Sequence, residues 1–238
     1  MLKRLLKHEL RSITRDKMYV FFAFFPVMLA VIAYFLIPYL EEQSSALASD
    51  IVVLIFILMN GFIFGAITGF TLLDDQDDNV LLTLKITPVS VKYYVLLKLL
   101  ISYIFGILAT LLLLLSSGFL VDADILDIIY ILILTPLQGP IYALLINAFA
   151  NNKVEGFVMM KLSGLILMTP IASLFLIDWT ELFLGIFPGF WTARIISMQL
   201  IPQDYLFSSS SLYFLIGLLV HFAVGSLFFK FYTKKHNL

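Results

Sequence analysis

Apolar residues in this chain fall into six long runs, at 18–40, 51–73, 94–117, 128–149, 157–177 and 212–229. Each approaches or exceeds the roughly 20 residues that a helix needs to cross about 30 Å of hydrocarbon. None alternates apolar with polar positions, so the pattern excludes a membrane β-barrel. It predicts helices, which satisfy their own backbone groups in lipid. The fold expected is an all-α integral membrane protein with six transmembrane helices. Ahead of the first run, Leu2, Leu5, Leu6, Leu10 and Ile13 share one helical face, while Lys3, Arg4, Lys7 and Arg11 fall largely on the other. This predicts an interfacial helix over 1–17, with leucines in the acyl region and cations among anionic headgroups. Between the fifth and sixth runs, 178–211 holds apolar stretches too short to cross, broken by Pro188-Gly189 and Pro202. Two short outer re-entrant helices are expected there, with Trp179 and Trp191 at the membrane interface. No repeat or linker divides 1–238, which reads as a single transmembrane domain.

Composition agrees: the chain is 61% hydrophobic and 13% charged, and its mean hydropathy is +1.03. With no cysteine, disulfide and thiolate chemistry are excluded. Ala46-Leu47-Ala48 mimics a leader cleavage site. The apolar run before it far exceeds the roughly 7–15 residues of a leader, however, and Glu41 and Glu42 intervene, so no cleavage is expected.

Charge distribution sets the orientation. Six spans put both termini in one compartment. The segments on that side hold Lys3, Arg4, Lys7, Arg11, Arg15, Lys17, Lys85, Lys92, Lys98, Lys153, Lys161, Lys230, Lys234 and Lys235, whereas the other side holds only Arg194. Positive residues favour the cytoplasm, so both termini are expected there. The outer segments 41–50, 122–127 and 178–211 carry nine of the 16 acidic residues.

The densest charge lies in "LLDDQDDNVLLTLKITPVS", residues 72–90, between the second and third spans. Asp74, Asp75, Asp77 and Asp78 therefore face the cytoplasm, as a solvated cap over a short helix that Asp78 or Asn79 would N-cap. A calcium loop fails there, because Val80 stands where glycine is needed and Ile86 where glutamate is needed. In that helix Val80, Leu81, Leu84 and Ile86 expose apolar side chains unless a partner covers them. Thr87-Pro88 offers an N-cap and first-turn proline for the next helix.

Inside the spans, Gly61, Gly65 and Gly69 form two overlapping GxxxG steps for close helix packing. Asn60, Thr68, Gln138 and Asn147 are polar in lipid and are candidates for a translocation path or for helix-to-helix hydrogen bonds. His221 is alone in its span, so no histidine metal site is expected. Catalytic motifs are absent: no Gly-Lys dipeptide for a phosphate loop, no GxSxG elbow and no HExxH pair. No carboxylate lies mid-span, as an ion-coupled carrier would use. A self-contained enzyme is not expected, and no cofactor, metal or nucleic-acid site is read in the chain.

Taken together, these features resemble the membrane subunit of type-2 ATP-binding-cassette exporters. The amphipathic start running into "TRDKMYVFFAFFPVML" is similar to that family's elbow helix, with Arg15-Asp16 at the turn. "LLTLKITPVSVKYYVLLKLL" is similar to its first cytoplasmic coupling region, where Thr87, Pro88, Ser90, Tyr94 and Lys98 match in kind. "NNKVEGFVMMK" resembles its second cytoplasmic contact, with Asn152, Lys153, Glu155, Gly156 and Lys161. "RDKMYVFF" and "NKVEG" resemble the fluoroquinolone-export branch.

The resemblance implies a permease in the bacterial cytoplasmic membrane. It would pair with a second permease subunit, identical or paralogous, and with two separate ATPase subunits that bind ATP and magnesium. It further implies coupling to the ATPase through 74–92, by Asp74, Asp75, Asp77, Asp78, Val80, Leu81, Leu84, Lys85, Thr87 and Pro88, together with Asn152, Lys153 and Glu155. The phenylalanine-rich spans, lying among membrane lipid, suit export of an amphipathic or hydrophobic cargo: a drug, lipid or peptide. The other readings are an ATP-independent carrier or channel, and a non-transport immunity or anchor protein.

Overall fold

The computed structural model describes residues 2–43, 46–121, 123–176, 178–201 and 203–237, and every regular element among them is helical. Helix α1 (Leu2–Arg15) is followed after Asp16 by α2 (Lys17–Gln43), then α3 (Ala46–Asp77), the short α4 (Val80–Lys85), α5 (Val91–Ser116), α6 (Ile125–Phe149) and α7 (Lys153–Ala172). Two 3₁₀ segments, Ser173–Phe175 and Trp179–Ile186, lead to α8 (Pro188–Leu200) and the closing α9 (Ser210–Lys235). Six helices are long and apolar enough to span, as the hydropathy pattern predicts. The fifth begins at Lys153, earlier than its apolar run, because Asn152 caps it there with a side chain accepting from Glu155 N.

Helices α3 and α6 form the centre. In its most apolar stretch α3 is 67% buried, against 19% for the fifth span and 17% for α9, which lie at the rim. Helix α6 packs against α3, α5, α7, α8 and α9. The glycines explain the approach. A Cβ on Gly61 would stand 2.5 Å from the Thr135 carbonyl oxygen, and one on Gly65 would stand 2.6 Å from that of Gly139. The GxxxG strip is thus used within the chain, against α6. Such proximity matters in a bilayer, where dispersion between closely packed helices replaces the hydrophobic effect.

At the end of the bundle opposite the termini, the segment between α7 and α9 holds two short helical stretches divided at Phe187. Pro188-Gly189 divides the apolar stretches as expected, with Pro188 taking the N1 position and starting α8. The helix is buried from Pro188 to Ser197, so Trp191 is a core residue, its Nε1 donating to Gly185 O at 2.8 Å. Trp179 is exposed, in keeping with an interface. Pro202 lies outside the described residues.

In α1, Leu10 is exposed while Ile13 packs on the core; the side chains of Leu2, Leu5 and Leu6 lie outside the described residues. Asp16 ends α1 and caps α2, its Oδ1 accepting from Met18 N at 2.8 Å.

The glycine contacts are separable by mutation. Gly65→Ala should lower the unfolding midpoint in detergent by the equivalent of about 1–3 kcal/mol, because two backbones must part. At Gly69 the nearest atom to a new Cβ is the movable Ile146 Cδ1 at 3.1 Å, so Gly69→Ala should stay within about 1 kcal/mol of wild type. Equal losses in the two variants would count against the α3–α6 contact as the centre.

Candidate functional site

At one end of the bundle ionic contacts fasten the end of α3 to α5, α7 and the α1–α2 joint. Asp75 is buried, and its carboxylate lies 2.6 Å from Lys98 Nζ on α5 while accepting from Tyr94 OH at 2.9 Å. Lys98 also donates to Thr71 O at 3.2 Å. The neighbouring Asp74 takes a hydrogen bond from Tyr19 OH on α2 and an ion pair from Lys153 Nζ on α7 at 2.9 Å. Lys153 reaches Asp16 at 3.3 Å as well, and its ammonium stands 5.1 Å from the centre of the Tyr19 ring.

The expectation of four solvated aspartates is therefore corrected: Asp74 and Asp75 are the last turns of α3, fixed to α2, α5 and α7. Only Asp77 and Asp78 are exposed. Beyond them Asn79 turns the chain with φ 56° and stands at the N-cap of α4, as expected, but its side chain makes no capping hydrogen bond. Asparagine tolerates this left-handed conformation better than most residues.

Helix α4 buries part of the face that the sequence reading left exposed, Leu81 above all, while Ile86 is exposed as expected. Leu81 is buried among Leu72, Val91, Tyr94, Val95, Leu99 and Tyr232, and Leu84 packs on the same group. Val80 is half-buried. The side chains left in the open are Leu82, 59% exposed, and Ile86, 87% exposed. Lys85 Nζ donates to His236 O at 3.2 Å and to Asn237 O at 3.4 Å, tying the C-terminal tail to this helix. Thr87 does not cap α5; its Oγ1 donates to Leu84 O at 2.8 Å and closes α4 instead, while Pro88 lies in the connection and Ser90 is the N-cap of α5.

The turn before α7 is built by capping. Asn152 Oδ1 accepts from Glu155 N at 3.0 Å, and the Glu155 carboxylate accepts from Asn151 N at 2.8 Å. Glu155 is thus occupied by its own helix end, and the apolar side chain offered outward is Val154, 76% exposed.

The four polar path candidates lie in the packed interior. Asn147 Nδ2 donates to Gly69 O at 2.8 Å and Ala143 O at 2.9 Å, and its oxygen accepts from Gln76 Nε2 at 2.8 Å. Asn60 Nδ2 donates to Ala109 O at 3.2 Å. Both therefore join helices. Thr68 is buried beside the glycine strip. Gln138 is fully buried with neither amide atom bonded.

Sequence reasoning missed a second charged knot at the outer end. Arg194 and Glu181, both fully buried, form an ion pair, and Tyr213 OH donates to Glu181 Oε1 at 2.6 Å. Arg194 also donates to Ser173 O at 2.8 Å. The available signal was Arg194 itself, the one cation assigned to the outer side.

At this end of the bundle two titrating groups outside the spans, Asp16 and His236, are perturbed. Burial raises the Asp16 carboxyl, but the Met18 N–H and Lys153 outweigh it, so the net shift is downward. Burial, with Lys235 and Lys85 nearby, holds the His236 imidazole down at about 4.

Comparisons with known proteins place the chain among permeases. A family model described as "Fluoroquinolones export permease protein Rv2686c-like" matches residues 9–229. Two curated relatives, fluoroquinolones export permease proteins from two strains of Mycobacterium tuberculosis, are each 25% identical over 201 residues, covering 79% of this chain and 78% of theirs.

Two measurements test this geometry. Asp75→Asn leaves a buried ammonium without its carboxylate and should cost about 3–5 kcal/mol by thermal unfolding, whereas the double change Asp75→Leu/Lys98→Met should recover most of that loss. For His236, a folded value below its ordinary 6.5 means its stabilisation is complete above that pH and is lost as pH falls toward about 4. The protection factors for hydrogen exchange at 234–237, corrected for the intrinsic rate at each pH, should accordingly fall between pH 7 and 5. A flat profile would rule out the docked tail.

Proposed function

The chain belongs to the family of Rv2686c-like fluoroquinolones export permeases, and on that premise we propose that it is the membrane-spanning subunit of an ATP-driven exporter. Two ATPase subunits, carrying the ATP and magnesium, dock on the cytoplasmic end of this permease and of a second permease subunit beside it. The observation that carries the reading is the pairing of exposed apolar side chains, Leu82 and Ile86, with the exposed carboxylates Asp77 and Asp78 on an otherwise well-bonded scaffold. Large apolar groups held in water on a rigid helix are the mark of a surface that another protein covers. Val154 at the start of α7 provides a further contact at the same end.

The mechanism follows from how α4 is mounted. Leu81 and Leu84 seat it on the cluster shared by α3, α5, α6 and α9, so a push on Leu82 and Ile86 is not absorbed by a slack loop. Closing ATPases move α4 and the end of α3 together, and the Asp74–Lys153 pair passes that displacement to α7. Helices α3 and α7 then shift against α6 and open a route outward. The cargo is an amphipathic or hydrophobic molecule of the drug-like kind for which the relatives are named, and Gln138, buried without a partner, is the polar group that route uncovers.

A double change on the exposed face separates docking from folding. Leu82→Asp/Ile86→Asp should insert normally and unfold within about 0.5 kcal/mol of wild type, because neither side chain is packed. It should nevertheless fail to retain the ATPase on co-purification and lose cargo-stimulated ATP hydrolysis by at least about tenfold. Leu81→Asp would not serve, since it would disrupt the core. Wild-type coupling in the double variant would overturn the assignment of this surface.

A further inference from the structure

Between α5, α6 and α9 lies a groove of about 630 Å³, open toward lipid and walled by apolar residues such as Leu96, Leu100, Ile133 and Leu137. That volume is within the ordinary range for ligand pockets, about 300–1,000 Å³. His221, near the middle of α9, forms part of its inner wall and is only 3% exposed. Its Nδ1 stands 2.6 Å from Gly217 O on its own helix. A carbonyl can only accept, so Nδ1 carries the proton, and in a neutral ring Nε2 then holds a lone pair. Nε2 has no partner. One turn farther on, Gly225 also lines the groove and leaves room beside the ring: a Cβ there would meet nothing closer than Ile141 Cγ1 at 3.7 Å. The cytoplasmic mouth carries Lys230, and no acidic residue is among the described residues lining the groove. Nine residues of α9 separate His221 from Lys230, a rise of about 13 Å.

We propose that this groove binds a single-chain anionic amphiphile of the inner leaflet, its acidic head on Lys230, its apolar body along α5, α6 and α9, and a hydroxyl or N–H partway down the chain donating to His221 Nε2. The spacing selects the donor's position: about 13 Å of extended chain from the head. An orphaned acceptor surrounded by hydrocarbon is costly, and the donor satisfies it. A plain fatty acid fills the apolar walls but leaves Nε2 bare. This site requires no ATPase and stands apart from the cytoplasmic docking surface.

The test uses the full chain in phosphatidylcholine nanodiscs, with empty nanodiscs subtracted. Two isotope-labelled probes differ by one group: stearate, and hydroxystearate with its hydroxyl on the twelfth carbon. Wild type should bind hydroxystearate about 2–10-fold more tightly, the ratio expected of one hydrogen bond. His221→Phe should bring the ratio to unity while retaining stearate. Lys230→Gln should weaken both probes and leave the ratio intact. Gly225→Leu, which has space for its side chain, should exclude both without lowering the unfolding midpoint; it decides the matter if His221→Phe fails to fold. Equal binding of the two probes by wild type, or undiminished binding in Gly225→Leu, overturns the proposal.

Discussion

The contact between the α3 and α6 backbones is the constraint on which the remaining geometry rests. Lipid tails are as apolar as leucine, so two helices gain little by burying leucine against leucine in a membrane. What they gain comes from proximity, and Gly61, Gly65 and Gly139 allow carbonyl oxygens to sit where side chains would otherwise stand. Once α6 is held there, Asn147 can reach the Gly69 carbonyl, and Gln76 can reach Asn147. Position and polarity support each other: the close approach brings the amides into range, and the amides hold the register of the approach.

At the end of the bundle that holds both termini the same logic continues with charge. Four aspartates in a chain so poor in charged residues do two different jobs. Asp74 and Asp75 are partnered across three other helices and make the end of α3 stiff, whereas Asp77 and Asp78, one turn later, are left to water. A stiff base carrying a free tip is a mechanical arrangement. In the exporter proposed above, it is what would carry a load from α4 into the bundle.

Much of this was legible in the sequence, and the misses have physical causes. Six spans could be read because bilayer thickness sets a length that hydropathy alone reveals. Capping of α7 by Asn152 and Glu155 is local, yet it starts the helix four residues before the apolar run at 157 that hydropathy reveals. The pairing of Asp75 with Lys98 could not be read, because it depends on how α3 and α5 are rotated about their own axes, which hydropathy does not encode when nearly every face is apolar. Helix α4 failed for a related reason. In six residues with leucine at successive positions, periodicity cannot say whether Leu81 or Leu82 points inward, and the answer came from Tyr232 and Leu72, which arrive from distant parts of the chain. Arg194 and Glu181 were visible as isolated charges, but burial in α8 and its preceding 3₁₀ segment was not.

Helix α3 runs for 32 residues, about 48 Å, whereas the hydrocarbon slab is about 30 Å thick. The helix cannot fit upright within it, so its tilt depends on the thickness of the surrounding bilayer. Since Leu81 seats α4 against Leu72 at the end of α3, a thinner or thicker membrane must swing the α4 surface sideways. Fatty-acid composition of the host membrane thereby enters the alignment of the exposed α4 face, and a permease moved to a foreign bilayer would present that face at a different angle.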